Sequence, residues 1–322
     1  MRDQGRAPLL ELKDVKTYFK VQGGLLKAVN GVSLTVHEGE TIGLVGESGC
    51  GKSTLGKTVL RLLRPVGGQV LYEGKDIWAF DRKERKAYTR QVQMIFQDPY
   101  ACLDPLSVIG DTVAEGMDVH RMHRDKQARG QEILRLLTDV GLNEGHAARF
   151  PHEFSGGQRQ RVGIARALSL KPKLIVCDEP ISALDVSIQA QVVNLLKKLQ
   201  REMGMAYIFI THDLSMVRQI SDRIAVMYLG NIVEIADSED IYLSNRHPYT
   251  KALLSAIPIA DPTVERTRER IVLTGDVPSP VNLPAGCAFA GRCPRACERC
   301  RQETPALREI EKGHQVACHL VE

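Results

Sequence analysis

The run Thr41-Ile-Gly-Leu-Val45, the loop Gly46-Glu-Ser-Gly-Cys-Gly-Lys52-Ser53 and the helically spaced Lys52-Ser-Thr-Leu-Gly-Lys-Thr-Val-Leu-Arg-Leu-Leu63 constrain the fold more than any other part of the 322-residue chain. A short apolar run that enters a glycine-rich loop reads as a buried strand, and the spacing after it reads as a helix. The loop fits G-x-x-x-x-G-K-[ST] in the strand-to-helix setting this pattern requires. Glycines let the backbone wrap so that its N–H groups converge on phosphate oxygens, and the start of the helix adds a favourable dipole. Gly46, Ser48, Gly49, Cys50, Gly51, Lys52, Ser53 and Thr54 are therefore candidate contacts for ATP. Lys52 reaches the β- and γ-phosphates and the Ser53 hydroxyl ligates Mg²⁺. Cys50 reads as a small tolerated residue within the loop.

Two more apolar runs, Lys173-Leu-Ile-Val-Cys-Asp178 and Ala206-Tyr-Ile-Phe-Ile-Thr211, lie between helical patterns, as buried parallel strands do. The core is predicted to be an α/β sandwich. No strand is predicted between about 107 and 170, where Ile133, Leu136, Leu137 and Val140 share one helix face, so this segment reads as a helical insertion. From 259 onward Pro- and Gly-punctuated loops mark a small appended module, which places the boundary after 258. A net charge of +4 does not argue for nucleic acid as a partner. No apolar run reaches the eighteen residues of a membrane span, and the first residues lack the apolar core of a signal peptide, so a cytosolic chain is expected.

The strand Leu174-Ile-Val-Cys-Asp178 ends in Asp178-Glu179. Asp178 is placed to hold Mg²⁺ through water, and Glu179 to polarise the water that attacks the γ-phosphate. Phe154-Ser-Gly-Gly-Gln158 then opens the helix Arg159-Gln-Arg-Val-Gly-Ile-Ala-Arg-Ala-Leu168. This resembles the signature of ABC-type ATPases, with Phe in place of the commonest Leu, and the resemblance extends over the whole chain. It implies a P-loop ATPase with a RecA-like core, an antiparallel β subdomain and a helical subdomain. It further implies that two such domains dimerise head to tail, so that Ser155, Gly156, Gly157 and Gln158 act on the partner's ATP.

The same resemblance carries roles to other positions. Gln97, in Met94-Ile-Phe-Gln-Asp-Pro99, looks like the glutamine that reaches Mg²⁺ and the attacking water; His212 looks like the γ-phosphate contact. Asp185, closing Ser182-Ala-Leu-Asp185, looks like part of the dimer loop, and Phe19, or less readily Tyr18, like the aromatic that stacks on adenine. The stretches Gln97-Asp-Pro-Tyr-Ala-Cys-Leu-Asp-Pro105, Arg246-His-Pro-Tyr-Thr-Lys-Ala-Leu-Leu254, Gly275-Asp-Val-Pro-Ser-Pro280 and Gly286-Cys-Ala-Phe-Ala-Gly-Arg-Cys-Pro294 are similar to the ATP-binding subunits of dipeptide, oligopeptide and nickel importers. The form of the phosphate loop is most like the second of their two ATPase subunits. The partners this implies are a related ATPase in a heterodimer, two permease subunits and an external substrate-binding protein. The place it implies is the cytoplasmic face of the membrane.

Of eight cysteines, five fall in the last 36 residues. In a reducing compartment such a group is more often a metal site than a disulfide framework. Cys287, Cys293, Cys300 and Cys318 have a spacing that, in the family resembled, accompanies a [4Fe-4S] cluster. By chemistry alone four thiolates suit tetrahedral zinc equally well. Cys297 is left over, and His314 and His319 are possible substitutes.

Overall fold

A computed structural model of the chain describes residues 7–258, 278–283 and 285–321, with 261, 263, 270–273 and 275 between them. Its described strands are β1 (Pro8–Val21), β2 (Gly24–His37), β3 (Thr41–Val45), β4 (Gly67–Tyr72), β5 (Lys75–Asp76), β6 (Val92–Ile95), β7 (Leu174–Asp178), β8 (Ala206–Thr211), β9 (Arg223–Tyr228), β10 (Asn231–Asp237), β11 (Arg308–Glu311) and β12 (His314–Val316). The three strands read from apolar runs coincide with β3, β7 and β8. The chain divides into two compact units, one built from Pro8–Val36, Thr41–Asp76 and Thr211 onward, the other from His37–Glu40 and Ile77–Ile210.

In the first unit, β1 and β4 pair antiparallel with Leu10 opposite Tyr72, and the sheet runs in the order β2-β1-β4-β5. A second series of paired strands runs β11-β12-β10-β9-β3. Every residue of β3 is buried, and β3 runs parallel to β9 with Val45 opposite Val226. A strand covered on both faces has no polar side to show, which is why its sequence is continuous Thr-Ile-Gly-Leu-Val. The antiparallel pairs β9–β10, β10–β12 and β11–β12 bring residues from the last part of the chain onto the sheet that carries the phosphate-loop strand.

The second unit holds the parallel strands β6, β7 and β8, with Ile95 opposite Cys177 and Asp178 opposite Ile210. Between Ile95 and Leu174 the described residues form no strand. They form the helices Ile109–Val119, Lys126–Asp139 and Gly156–Leu168. Asp125 starts the middle helix by accepting from the Ala128 amide at 2.7 Å, and Ile133, Leu136, Leu137 and Val140 are buried. Arg129 ties two of the helices together through Asp111 and Asp118 at 2.9 and 2.8 Å.

A buried acid ties β10 to β12 and to the segment at Arg246–His247. Glu234 on β10 accepts from the amides of Arg246 and His247 at 2.6 and 3.1 Å and pairs with His314 Nε2 at 2.8 Å. Burial alone would raise its carboxyl, but the hydrogen bonds from His314 and the backbone hold it below the usual carboxylate range. His247 Nδ1 accepts from the Tyr249 amide and so caps the helix Pro248–Ser255, which requires an unprotonated ring. Burial pushes His247 down to about 4 from 6.5. Between those values the unfolded chain binds the proton and the folded chain does not. Stability is therefore complete above pH 6.5 and falls as the pH drops toward 4, by an amount on the order of 2–3 kcal/mol. Glu234 adds a loss of the same sign below its ordinary 4.5. Thermal melting from pH 7.5 to 4.5 should show this decline, and His247→Asn, which keeps an acceptor at the cap, should flatten it above pH 5. An unchanged slope in the variant would remove His247 from the account.

Candidate functional site

The phosphate loop leaves β3 at Gly46 and enters the helix Lys52–Val59 at Gly51. Its path is fixed by close backbone approaches. Gly51 has φ 106°, and a Cβ there would lie 1.9 Å from the Ala28 carbonyl oxygen on β2; one on Gly46 would lie 2.1 Å from the Met227 carbonyl oxygen on β9. Glycine is thus required where the loop is held between two strands. Lys52 is 4% exposed and its Nζ donates to the carbonyls of Gly46 and Glu47 at 2.8 and 3.0 Å. The ammonium therefore already sits inside the curve of the loop. Ser53 and Thr54 come next on the first turn, half-buried, while Ser48 and Gly49 are exposed. Cys50 is buried 3.7 Å from Lys52 Nζ, and burial raises its thiol. A lysine folded under a glycine-rich loop, with a hydroxyl at the helix start, fits Mg-ATP.

The second unit, taken by itself, carries two acids at a strand end. Asp178 ends β7 and is 5% exposed. Glu179 comes next with φ 44°, a left-handed conformation that is uncommon for a side chain with a Cβ and that collects at active sites. Its amide donates to the Ile210 carbonyl at 2.9 Å, which holds it at the strand end. Gln97, two residues beyond the neighbouring strand β6, donates from Nε2 to Glu179 Oε2 at 3.0 Å. Two residues that lie 82 apart in sequence are thereby brought together beyond the C-terminal ends of adjacent parallel strands, where ligands of such sheets bind. His212 stands just after β8 and is exposed.

Ser155 caps the helix Gly156–Leu168 through a reciprocal pair: its amide donates to Gln158 Oε1 at 3.0 Å and the Gln158 amide to its Oγ at 3.4 Å. A Cβ on Gly157 would meet Ile188 at 2.7 Å. Arg159 lies over the Tyr100 ring at 3.8 Å and donates to the Pro151 carbonyl. These contacts fix a helix N-terminus whose first residues are small, which suits approach by an anion. Asp185 precedes the helix Val186–Met203, exposed and with no cap bond from its side chain. Phe19 is half-buried on β1; its neighbour Tyr18 donates to Asn30 at 2.6 Å.

Three supporting residues carry no role that the sequence alone assigns, although two of the stretches set apart there contain them. The Glu47 amide donates to the Tyr249 hydroxyl at 3.0 Å, and Arg292 Nη1 bonds both Glu47 oxygens at 2.9 and 3.2 Å. Phe289 is 1% exposed and packs against Tyr228, Tyr249 and His247 at centroid distances of 5.2, 5.3 and 5.8 Å. The signal available was Tyr249 in Arg246-His-Pro-Tyr-Thr, with Phe289 and Arg292 in Cys-Ala-Phe-Ala-Gly-Arg-Cys.

The cysteines require a correction. Among the described residues no group of three or more His, Cys, Asp or Glu side chains is gathered so as to hold a metal ion. The expected [4Fe-4S] set of Cys287, Cys293, Cys300 and Cys318, and its zinc alternative, is therefore not formed. Cys300 Sγ instead lies 3.5 Å from Cys297 Sγ, the thiol left over by the spacing, because both stand at the start of the short helix Glu298–Gln302. Cys287 does feel the other three electrostatically, but burial dominates and pushes it up to about 11; burial also raises Cys293 and Cys300. Exposed Cys297 is lowered, by hydrogen bonds from Cys300.

Known proteins share this arrangement of motifs. A family profile described as ABC transporter matches residues 29–182, and one described as oligopeptide/dipeptide transporter, C-terminal region, matches 233–300. The putative oligopeptide transport ATP-binding protein YkfD of Bacillus subtilis is 56% identical over 316 residues, covering 98% of this chain and 96% of that protein. The chain belongs to the ATP-binding proteins of oligopeptide ABC transporters. Another member of this family, the oligopeptide transport ATP-binding protein OppF of Escherichia coli, is 48% identical over 98% of this chain and 97% of its own length. Among solved structures, the dimeric post-hydrolysis state of the ATP-binding cassette MJ0796 bound to ADP and Pi matches with a TM-score of 0.65 and 31% identity, covering 71% of this chain and 98% of that one. The cassette fold with mixed sheets is thus shared, and with it the chemistry of Mg-ATP hydrolysis. Among the described residues no helix is long and apolar enough to cross a membrane.

Proposed function

We propose that the chain is the ATP-hydrolysing motor subunit of an importer for oligopeptides. The observation that carries the motor reading is the Gln97–Glu179 pair, 3.0 Å apart at the ends of adjacent parallel strands, with Glu179 held in a left-handed conformation. A carboxylate fixed in this way is a general base for the water that attacks the γ-phosphate, and Gln97 orients that water and reports on the γ-phosphate. Gly46, Ser48, Gly49, Cys50, Gly51 and Thr54 line the phosphates, Lys52 reaches the β- and γ-oxygens, and Phe19 stacks on adenine. Ser53, Asp178 and Gln97 hold Mg²⁺, which when bound offsets the phosphate charge. His212 contacts the γ-phosphate.

Ser155, Gly156, Gly157, Gln158 and Asp185 belong to a different surface, which acts on the ATP of a second, related ATPase subunit. ATP closes the pair and hydrolysis reopens it, and two permease subunits convert that cycle into alternating access. The ATPase part ends near residue 258 and the remainder forms the C-terminal part. The names of the relatives and the match of the C-terminal region support peptide as cargo, delivered by an extracytoplasmic binding protein to permeases beneath which this chain docks at the cytoplasmic face. The deciding experiment is uptake of a labelled tetrapeptide, and separately of labelled nickel, in cells deleted for the chain and in cells complemented with it. Peptide uptake should disappear and return; loss of nickel uptake with intact peptide uptake would replace the cargo.

A further inference from the structure

The loop read as the phosphate site contains one acid, Glu47, at its second position. A carboxylate there opposes the anion that Lys52 and the helix N-terminus attract. The C-terminal part meets this conflict directly. Arg292, whose side chain is 9% exposed, donates from Nη1 to both carboxylate oxygens of Glu47 at 2.9 and 3.2 Å. The hydrogen bond to Glu47 raises the guanidinium above its ordinary value, so it stays charged. The Glu47 amide meanwhile donates to the Tyr249 hydroxyl at 3.0 Å. Glu47 is thus held by its backbone and by its side chain, in both cases by residues from the later part of the same compact unit.

Arg292 is itself fixed. Its amide donates to the Phe289 carbonyl at 3.0 Å, the Ala290 amide to Cys287 at 2.9 Å, and the Cys287 amide to Cys300 at 2.7 Å, which closes a tight turn. Phe289 plugs that turn among Tyr228, Tyr249 and His247. A guanidinium carried on so constrained a turn can set the position of the carboxylate it binds.

We infer that Arg292 is a positioning residue for nucleotide: it neutralises Glu47 and turns its carboxylate away from the phosphates, so the affinity of the loop for ATP depends on the C-terminal part. This rests on the reading that the Gly46–Ser53 loop holds the phosphates. Losing Arg292 leaves Glu47 as an uncompensated negative charge beside them, and the resulting penalty is electrostatic. It grows with ligand charge and shrinks with salt.

The test is calorimetric binding of ATP and ADP to the full chain, with Lys52→Ala as control. Arg292→Ala should weaken ATP binding roughly tenfold, ADP binding less, and both more strongly at low salt. Adding Glu47→Gln to Arg292→Ala should restore most of the affinity, and Arg292→Lys should retain it. Restoration separates charge from packing, since a purely structural role for Arg292 predicts no recovery when the carboxylate is removed. If Arg292→Ala binds ATP like the parent, or the double variant binds no better than Arg292→Ala, the positioning role is lost. Should Arg292→Ala not fold, Arg292→Gln with and without Glu47→Gln makes the same comparison. If Lys52→Ala itself binds as tightly as the parent, it is the phosphate-loop reading that fails.

Discussion

Glu179→Gln should leave ATP binding intact and lower hydrolysis about a thousandfold, the contribution of a well-placed general base. That factor corresponds to roughly 4 kcal/mol of barrier. The substitution keeps the shape of the side chain and an oxygen that can accept from Gln97 Nε2, now 3.0 Å away. The left-handed backbone at residue 179 is held by its own amide to Ile210, which the exchange does not touch. The fold should therefore persist while the base is gone. Steady-state phosphate release and nucleotide binding measured on the same preparation test this. Hydrolysis within tenfold of the parent would assign the base elsewhere, and weakened ATP binding would mean that the carboxylate serves the loop and not the water. Peptide uptake in cells should stop with hydrolysis; continued uptake would uncouple this chain from transport.

Phe289→Ala should destabilise the unit that carries the phosphate loop by about 3–4 kcal/mol, the usual cost of emptying a buried aromatic site. The ring is 1% exposed and meets three other rings, so no neighbour can fill the space without leaving its own partner. Phe289→Leu keeps much of the buried area and should cost less than half as much. Thermal melting with and without ATP checks both variants. The alanine variant should also gain less from added ATP, because the turn that carries Arg292 loses its anchor. A melting point within a degree of the parent would show that the C-terminal turn is an ornament on the sheet.

The parts of the fold that were legible in sequence are those in which a local pattern has one structural solution. Thr41–Val45 and Leu174–Asp178 are buried on both faces, so their apolar runs are continuous and short, and the glycine loop and the Asp-Glu pair mark where each strand ends. The helix around Ile133, Leu136 and Leu137 was readable from its period, and the helix start at Ser155 from its cap. The meeting of Gln97 with Glu179 depends on the neighbouring register of β6 and β7, which no local pattern encodes; the strand-end acids suggested the role of Glu179, and resemblance to a family supplied that of Gln97. The cysteines failed for a related reason. Spacing says which thiols are near in sequence and nothing of where each points, and the one close sulfur pair joins Cys300 to the thiol that spacing had set aside. Arg292 and Glu47 were both on view, but 245 residues separate them and the pattern around each assigns its own position no role.

That separation also sets an order of events during synthesis. At roughly 5–20 residues per second, about 12 to 50 s pass between the emergence of residue 47 and that of residue 292. For most of that interval β3 lacks its neighbour β9, and for all of it Glu47 lacks its cation. The strand on which the nucleotide loop is mounted must wait for β9 until residues 223–228 arrive. A ribosome stalled shortly before residue 289 would display a nascent chain that contains every residue of the loop and its neighbouring strand β9 and yet, lacking Arg292, grips nucleotide poorly.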